Sequence, residues 1–525
     1  MECKAQVQSS FKLSGLTVRL EAAKYLAGLL APVQEDERQP WIDKIIDHVH
    51  SQTLKSNVIE KEVLVAAVKE CTNKEAGTTS SADPVTTISA FETPRLTYSV
   101  ERKKYLGDEV MGRPPPRLLA PAESKALIFA DRFAMLHQRT ARHDLFDHTK
   151  PVTGQAAAKR YQLKAVEFLL GTTNRLDDVI VLGMLTQLSH GTFSLEDPSG
   201  VVKVDLSETK FHTGLYTENC FVLAEGWYDD GVFHVMALGF PPAEAAATTR
   251  AYFGNVNFFG GGGDTSAKAS TMLAELEATN TEAMFVFLSD VWLDVPSVME
   301  RLRRLFVGYS SFPPTAIVLC GNFLSCVGEQ GYASKLREHL KLLGELVAEF
   351  PQLVAESRLL LVPGPADPGS PNIFPRPPLP PSLTQDLARL VPSAQFLTNP
   401  ARVQYCTQEI VIFREDIATK LCRNAIHFPE TGEVAEHFTK TITCQGHLAP
   451  LPLPTVPVHW DHDRALYLYP LPDLVVTADK YEPFAAENLG CKVINPGPFA
   501  KHDFSFKTYV PSTRAVEDSQ VPAEE

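Results

Sequence analysis

The chain has 525 residues, of which 44% are hydrophobic and 21% charged, and a formal net charge of −14. A length of this kind predicts roughly two to four folded domains with ample material for buried cores. The acidic balance excludes a protein that grips a nucleic-acid backbone by net charge alone, and the lack of any apolar run of about 18 residues excludes a membrane-spanning helix.

Nine cysteines stand at positions 3, 71, 220, 320, 326, 406, 422, 444 and 491, with no Cys-x-x-Cys pair. That spacing suits neither a zinc site nor a disulfide framework and points to a reducing compartment. Met1 to Ser14 is mixed and polar rather than basic-then-apolar, so an intracellular protein is expected.

In chain order, residues 1–75 predict a small helical domain. Leu16, Leu20, Ala23, Ala27 and Leu30 recur at helical spacing. Trp41, Ile42, Ile45, Ile46 and Val49 do so behind Pro40, a residue suited to a first turn, and Leu64, Ala67, Val68 and Cys71 mark a third helix. Residues 76–122 read as linker and extended chain: Gly77 to Pro84 is a Gly/Thr/Ser-rich break, Ile88 to Leu106 runs along another surface, and Gly112 to Pro116 is a second break. Residues 123–164 form a helical connector. Its helix, Glu123 to Phe146, carries Arg132, Arg139, Arg142 and His143 on one side, a face expected to be solvated.

Residues 165–259 change period. Strands are expected at Val179 to Met184, on both sides of the turn Asp197-Pro198-Ser199-Gly200, at Cys220 to Trp227 and at Val232 to Leu238, which suits a small barrel of the OB type. Between Ala165 and Glu244 there are three Lys or Arg against twelve Asp or Glu. A single-strand-binding groove would need the opposite balance, so this barrel is expected to pack on a neighbour although Phe193, Phe211, Trp227 and Phe233 are available for stacking. Residues 260–282 hold Gly260 to Gly263, with no Gly-Lys-Ser/Thr behind them; a hinge is expected, not a phosphate loop.

Residues 283–525 alternate strand and helix, a layered α/β domain. Strands are expected at Met284 to Leu288, Ala316 to Cys320, Leu359 to Val362, Glu409 to Phe413, Leu474 to Thr477 and Cys491 to Ile494. Amphipathic helices are expected at Val298 to Phe306 and Ala333 to Phe350. Pro363 to Pro381 reads as a stiff surface segment. A metal seat could be built from His459, Asp461, His462 and Asp463 with His427, His437 and His447; the competing reading makes Val456 to Trp460 a strand that sends His459 and His462 to opposite faces.

Three strand ends carry the most specific pattern. Leu288-Ser289-Asp290-Val291-Trp292, Cys320-Gly321-Asn322 and Val362-Pro363-Gly364-Pro365-Ala366-Asp367 resemble the calcineurin-like phosphoesterases, whose strands end in Asp-x-His, Gly-Asp and Gly-Asn-His-Asp. Here Trp292, Asn322, Pro365 and Ala366 stand at ligand positions, while Asp290 and Asp367 remain. A two-metal site needs hard oxygen ligands and imidazoles converging at about 2 Å on two ions about 3.5–4 Å apart, and tryptophan, proline and alanine cannot ligate. Without a cation nearby, Asp290 and Asp367 would repel and one would be pushed up in pKa; hydrogen-bonded structural roles are expected for both.

These motifs, together with Phe287 to Asp294, Gln404 to Ile410, Phe413-Arg414-Glu415-Asp416, Gln445-Gly446-His447-Leu448 and Ile494-Asn495-Pro496-Gly497, resemble the B-subunits of eukaryotic replicative DNA polymerases, and the epsilon branch in particular. In the archaeal relative, a Pro-Asp strand leads into a Gly-His-x-His loop. Here Pro472-Asp473 to Thr477 leads into Ala478-Asp479-Lys480-Tyr481, with Asp479 and Tyr481 at the histidine positions. The resemblance implies a multidomain α+β protein: a helical N-terminal domain, an OB-fold barrel and a phosphoesterase-like α/β domain lacking metal ligands. It further implies no cofactor, no catalytic role, a nuclear location and a part in DNA replication. The implied partners are the zinc-containing C-terminal region of the polymerase's catalytic subunit, two histone-fold subunits, the replicative helicase assembly through the N-terminal domain, and DNA only within the complex. The alternatives are a divergent metal-dependent phosphodiesterase using Asp290, Asp367, His459 and His462, and a free single-strand-binding OB protein.

Overall fold

The computed structural model describes residues 2–522 apart from 31–34, 52–57, 62, 66, 69–83, 148–160, 190, 255, 262–264, 327–329 and 370. The N-terminal unit contains helices Glu2–Leu13, Leu20–Leu30 and Glu35–Ser51. Thr17–Val18 and Val58–Ile59 pair in parallel beside them. Val7, Phe11, Leu26, Ile42, Ile46, Val49 and Leu64 form its core. The first helix is an addition to the sequence reading; it supplies Val7 and Phe11 to that core. Leu20, expected inside, is 54% exposed, because the buried stripe of its helix runs through Ala22, Ala23, Leu26 and Leu30 and so is turned away from Leu20. Pro40 lies inside its helix and not in a first turn. Cys71 and nearly all of the Gly77–Pro84 break lie outside the described residues.

The barrel follows the alternating pattern closely. Strands Leu176–Ser189, Thr192–Asp197, Gly200–Asp205, Phe221–Asp229 and Val232–Gly239 are antiparallel neighbours, and Val232 to His234 pairs in parallel with Lys203 to Asp205, which closes the ring. The carboxylate of Asp197 accepts the N–H groups of Ser199 and Gly200 and so fixes the turn. Val202 and Val204 point inward with Leu195, Val222 and Phe233, while Lys203 faces solvent. At Gly226, where the register slips, a Cβ would stand 2.0 Å from the His234 carbonyl oxygen; only glycine lets the bulged strand come so close.

The C-terminal half is built on two six-stranded sheets. The first runs, edge to edge, Ala394–Phe396, Arg358–Val362, Ala316–Cys320, Phe285–Leu288, Ser505–Val510, Ala515–Gln520; its first four strands are parallel. The second runs Phe484–Asn488, Cys491–Asn495, Leu474–Val476, Gln408–Ile412, Ala401–Tyr405, Val85–Ile88. Phe285, Phe287, Val318 and Leu360 of the first meet Val403, Ile410, Ile412 and Ile494 of the second. Helices Pro296–Tyr309, Tyr332–Ala348 and Pro381–Leu390 cover the outer face of the first sheet. Ile417–Arg423 and Val434–Gln445 cover that of the second. Burial on both faces explains why the central strands read as unbroken apolar runs.

Several expectations change here. The extended segment after residue 84 enters the fold: Val85–Ile88 is an edge strand of the second sheet, and a hairpin, Leu96–Ser99 with Lys104–Gly107, follows. The basic face of helix Ala122–Ala141 is not solvated. Arg132 and Arg139 are 4% and 2% exposed, because each finds an oxygen partner inside: Arg132 pairs with Asp463, and Arg139 donates to the carbonyl oxygens of Cys444 and Pro241. Arg142, just past the helix, pairs with Glu244 and donates to the Tyr469 hydroxyl. Pro363 to Pro381 is no surface strap, since Phe374 and Arg376 are 1% and 2% exposed. Gly260 sits at φ +105 with its absent Cβ 2.9 Å from Ile88 Cγ2, so the described part of the glycine run is packed against the sheet edge.

Candidate functional site at the strand ends

Parallel strands deliver their C-terminal ends to one side of a sheet, where binding crevices of α/β folds arise. Three adjacent strands of the first sheet bring Asp290, Gly321-Asn322 and Asp367 together there, and two strands of the second bring Arg414 and Asp479. Asp290 holds a left-handed backbone at φ +49. Its Oδ1 accepts the backbone N–H of Asn322 at 3.0 Å and an Nη2–H of Arg414 at 2.8 Å. Arg414 also donates to Asp416 Oδ1 at 3.0 Å and to the carbonyl oxygen of Gly321. Asn399 ties the loops by donating to the carbonyl oxygens of Pro363 at 3.0 Å and Arg414 at 2.7 Å.

Asp367 accepts the N–H groups of Phe323 at 3.0 Å and Gly364 at 2.7 Å, one on each oxygen. A Cβ at Gly321 would lie 1.9 Å from Asp367 Oδ2, so glycine is required for the carboxylate to fit. Asn322 Oδ1 accepts the Ala366 N–H at 2.8 Å. Asp479 accepts the N–H groups of Ala418 and Tyr481, both at 2.8 Å. Trp292 is half-buried with Lys501 Nζ 5.2 Å from its ring centroid, and Pro365, Ala366 and Tyr481 are half-buried beside the cluster.

Burial pushes the Asp367 carboxyl up to about 6 against the pull of its two N–H donors and of Arg376 and Arg414. Burial, then the charge of Asp416, pushes Asp479 up to about 7. The expected repulsion between Asp290 and Asp367 in the absence of a cation is therefore corrected. A cation is present, the Arg414 guanidinium, and desolvation rather than a like charge is the main cause at Asp367. A guanidinium neutralises and orients carboxylates, but it cannot polarise a phosphoryl oxygen as a metal ion does or lower the pKa of a bound water.

The histidine candidates disperse. Among the described residues no group of three or more His, Cys, Asp or Glu is placed to hold a metal ion. His459 Nδ1 lies 3.1 Å from the Leu118 carbonyl oxygen, His462 meets the Phe91 ring edge-on, and His427 stacks on Phe211. His437 Nδ1 accepts the Gly214 N–H at 2.9 Å. Asp463 binds Arg132 and lies 3.4 Å from His447 Nε2. Neither the metal seat nor the strand expected over residues 456–460 forms: a short helix, Trp460–Leu466, follows a single bridge at Val458. The functional residue that sequence reasoning passed over is Arg414. It stands two residues past the strand Gln408–Ile412, within Phe413-Arg414-Glu415-Asp416, and that position was the available signal.

The raised carboxyls make a pH prediction. A carboxyl whose folded pKa exceeds its unfolded value contributes stability below the unfolded value, and that contribution is lost as pH rises through the folded pKa. Asp479 should therefore lower stability progressively from about pH 4 to about 7. Asp479→Asn is expected to compare more favourably with wild type at pH 8 than at pH 5 in urea unfolding; an unchanged difference across that range would count against a titrating Asp479.

Three family models match the chain. They describe the N-terminal region of DNA polymerases epsilon over residues 2–71, the OB-fold domain of proteins like DNA polymerase epsilon subunit 2 over 122–242, and the B-subunit of DNA polymerases alpha and epsilon over 285–486. DNA polymerase epsilon subunit 2 of Homo sapiens is 50% identical over 522 residues, which cover 99% of this chain and 98% of that one. The Drosophila melanogaster protein of the same name is 45% identical over 525 residues, covering 99% and 98%. The DNA polymerase epsilon B-subunit of Arabidopsis thaliana is 34% identical over 525 residues, covering 98% of each.

Proposed function

The chain belongs to the family of DNA polymerase epsilon B-subunits (subunit 2), and from that premise we propose that it is a non-catalytic scaffold of a nuclear replication complex. Its two-sheet unit is read as a calcineurin-like phosphoesterase scaffold whose metal-ligand positions are Trp292, Asn322, Pro365, Ala366, Asp479 and Tyr481. The observation that carries the non-catalytic reading is Arg414: a buried guanidinium already satisfies Asp290 at the strand ends. The barrel and the two-sheet unit would together hold the zinc-containing C-terminal region of the catalytic subunit. The N-terminal helical domain would face the replicative helicase assembly, and two histone-fold subunits would complete the complex. Contacts to DNA are assigned to the assembly, in keeping with the acidic barrel.

Co-expression with the C-terminal region of the catalytic subunit is expected to give a soluble 1:1 complex that survives a severalfold rise in salt, because apolar burial is only weakly screened. Deleting residues 1–75 should leave that complex intact. The same preparation with Mn²⁺ or Mg²⁺ should not cleave single-stranded DNA or a chromogenic phosphodiester. Turnover abolished by Asp290→Ala would instead establish the phosphodiesterase reading, and a monomer that ignores the catalytic subunit yet binds single-stranded DNA tightly would establish the OB-binder reading.

A further inference from the structure

At the far edge of the second sheet, Phe484–Asn488 pairs with Cys491–Asn495 on one side only. The connection is a two-residue hairpin, Leu489-Gly490, with both residues at positive φ, +51 and +79. In a hairpin of this type the residues flanking the turn, here Asn488 and Cys491, form the closing hydrogen-bonded pair. By alternation Phe484 and Ala486 turn their N–H and C=O groups inward, and Ala485 and Glu487 turn theirs outward from the sheet. No described strand meets that outer edge.

The edge is not simply open to water. Helix Val434–Gln445 runs beside it, and the two enclose a groove of about 450 Å³. Phe438 and Ile442 face the core, whereas Glu433, Glu436, Thr439 and Lys440 line the groove. Thr439 is 2% exposed, and its hydroxyl has no hydrogen-bond partner among the described residues. A buried hydroxyl in a helix ordinarily bonds back to the preceding turn, as Thr441 does to His437 and Thr443 does to Thr439. An unmade bond at a buried hydroxyl is destabilising unless a ligand completes it. The rim is acidic: Glu433, Glu436 and Glu487 are exposed, against Lys440 and the Lys492 that pairs with Glu487 at 2.9 Å. A second cavity of about 400 Å³ continues the groove toward the barrel past Glu436 and Glu430.

We propose that this groove receives an extended, basic segment of a partner polypeptide, which adds a strand to Phe484–Asn488 opposite the helix. A strand edge supplies main-chain hydrogen bonds, the helix wall supplies side-chain pockets, and the acidic rim selects positive charge. The groove serves such a segment whichever subunit supplies it, and whether or not the strand ends are catalytic.

The test uses the full chain and a fluorescein-labelled peptide of alternating lysine and valine. Saturable binding is expected, with slowed amide exchange at Ala485 and Glu487. The same peptide N-methylated at alternate residues, in either register, should lose it. Ala485→Pro removes one outward N–H that the sheet itself does not use and should weaken binding about tenfold with an unchanged melting temperature. Thr439→Val should weaken it without loss of stability. Should the proline variant unfold, Glu433→Gln with Glu436→Gln provides a surface test: about fivefold weaker binding at low salt and no difference at about 0.5 M, where exposed charges are screened. Equal binding of the N-methylated peptides, of a glutamate–valine peptide, or of oligothymidylate in place of the basic peptide would overturn the proposal, as would no saturable binding at all.

Discussion

Arg414→Ala is expected to destabilise the two-sheet unit by about 3–5 kcal/mol, the cost of breaking a buried ion pair by removing one partner. The Arg414 side chain is 1% exposed and that of Asp290 5%. Its guanidinium holds three acceptors at once: Asp290, Asp416 and the Gly321 carbonyl oxygen. Without it, Asp290 keeps the N–H groups of Asn322 but loses this cation, and a cavity opens among buried groups. Arg414→Lys keeps the charge but not the planar fork that reaches three acceptors, so an intermediate loss is expected. Pairing Arg414→Met with Asp290→Asn removes both charges and should recover part of the loss. Hydrogen exchange of the Ala316–Cys320 strand reports this unit separately from the others, which matters in a chain of several cores. An alanine variant within about 1 kcal/mol of wild type would show that the guanidinium does not organise the strand ends.

Arg132→Ala should produce a loss of similar size, about 3–5 kcal/mol, but at a different joint. Arg132 Nε and Nη2 reach the two oxygens of Asp463 at 3.0 and 2.5 Å, with side chains 4% and 5% exposed. Burial alone would raise the Asp463 carboxyl; the Arg132 and His447 charges outweigh it and hold the group below the usual carboxylate range. Burial, then the Arg132 charge, holds His447 down to about 4. A histidine depressed in this way withdraws stability as pH falls from its unfolded pKa of about 6.5 toward the folded value. With Arg132 gone, His447 is left to answer Asp463 once protonated, and its pKa should rise. The deficit of the variant is therefore expected to be smaller at pH 5.5 than at pH 8. Helix Ala122–Ala141 should gain proteolytic sensitivity, since Arg132 and Arg139 anchor it in the interior. A deficit independent of pH would reject the coupling to His447.

The two cases show where sequence reasoning succeeds and where it stops. Phe285–Leu288, Ala316–Cys320 and Arg358–Val362 were visible as short apolar runs because both faces of their sheet are covered. The Thr192–Asp197 and Gly200–Asp205 hairpin was visible because one face is wet and its turn is written in Asp197, Pro198, Ser199 and Gly200. The positions of Asp290, Gly321 and Asp367 could be read because each lies within one to five residues of a strand's C-terminal end, and strands of one parallel sheet end on one side.

Charge placement was a different matter. Helical spacing put Arg132 and Arg139 on one face but said nothing of what covers that face, and the oxygens that do so belong to Pro241, Cys444 and Asp463. Arg414 lies 124 residues from Asp290, and Val85–Ile88 pairs with a strand more than 300 residues on, Arg402 opposite Ile88. Periodicity is a local quantity that reports which side chains share a face. Whether a charge on that face is solvated or buried against its counter-ion depends on desolvation and on distances of a few ångströms. Only the closed tertiary structure sets those, and with them the buried cation at the strand ends and the groove beside Phe484–Asn488.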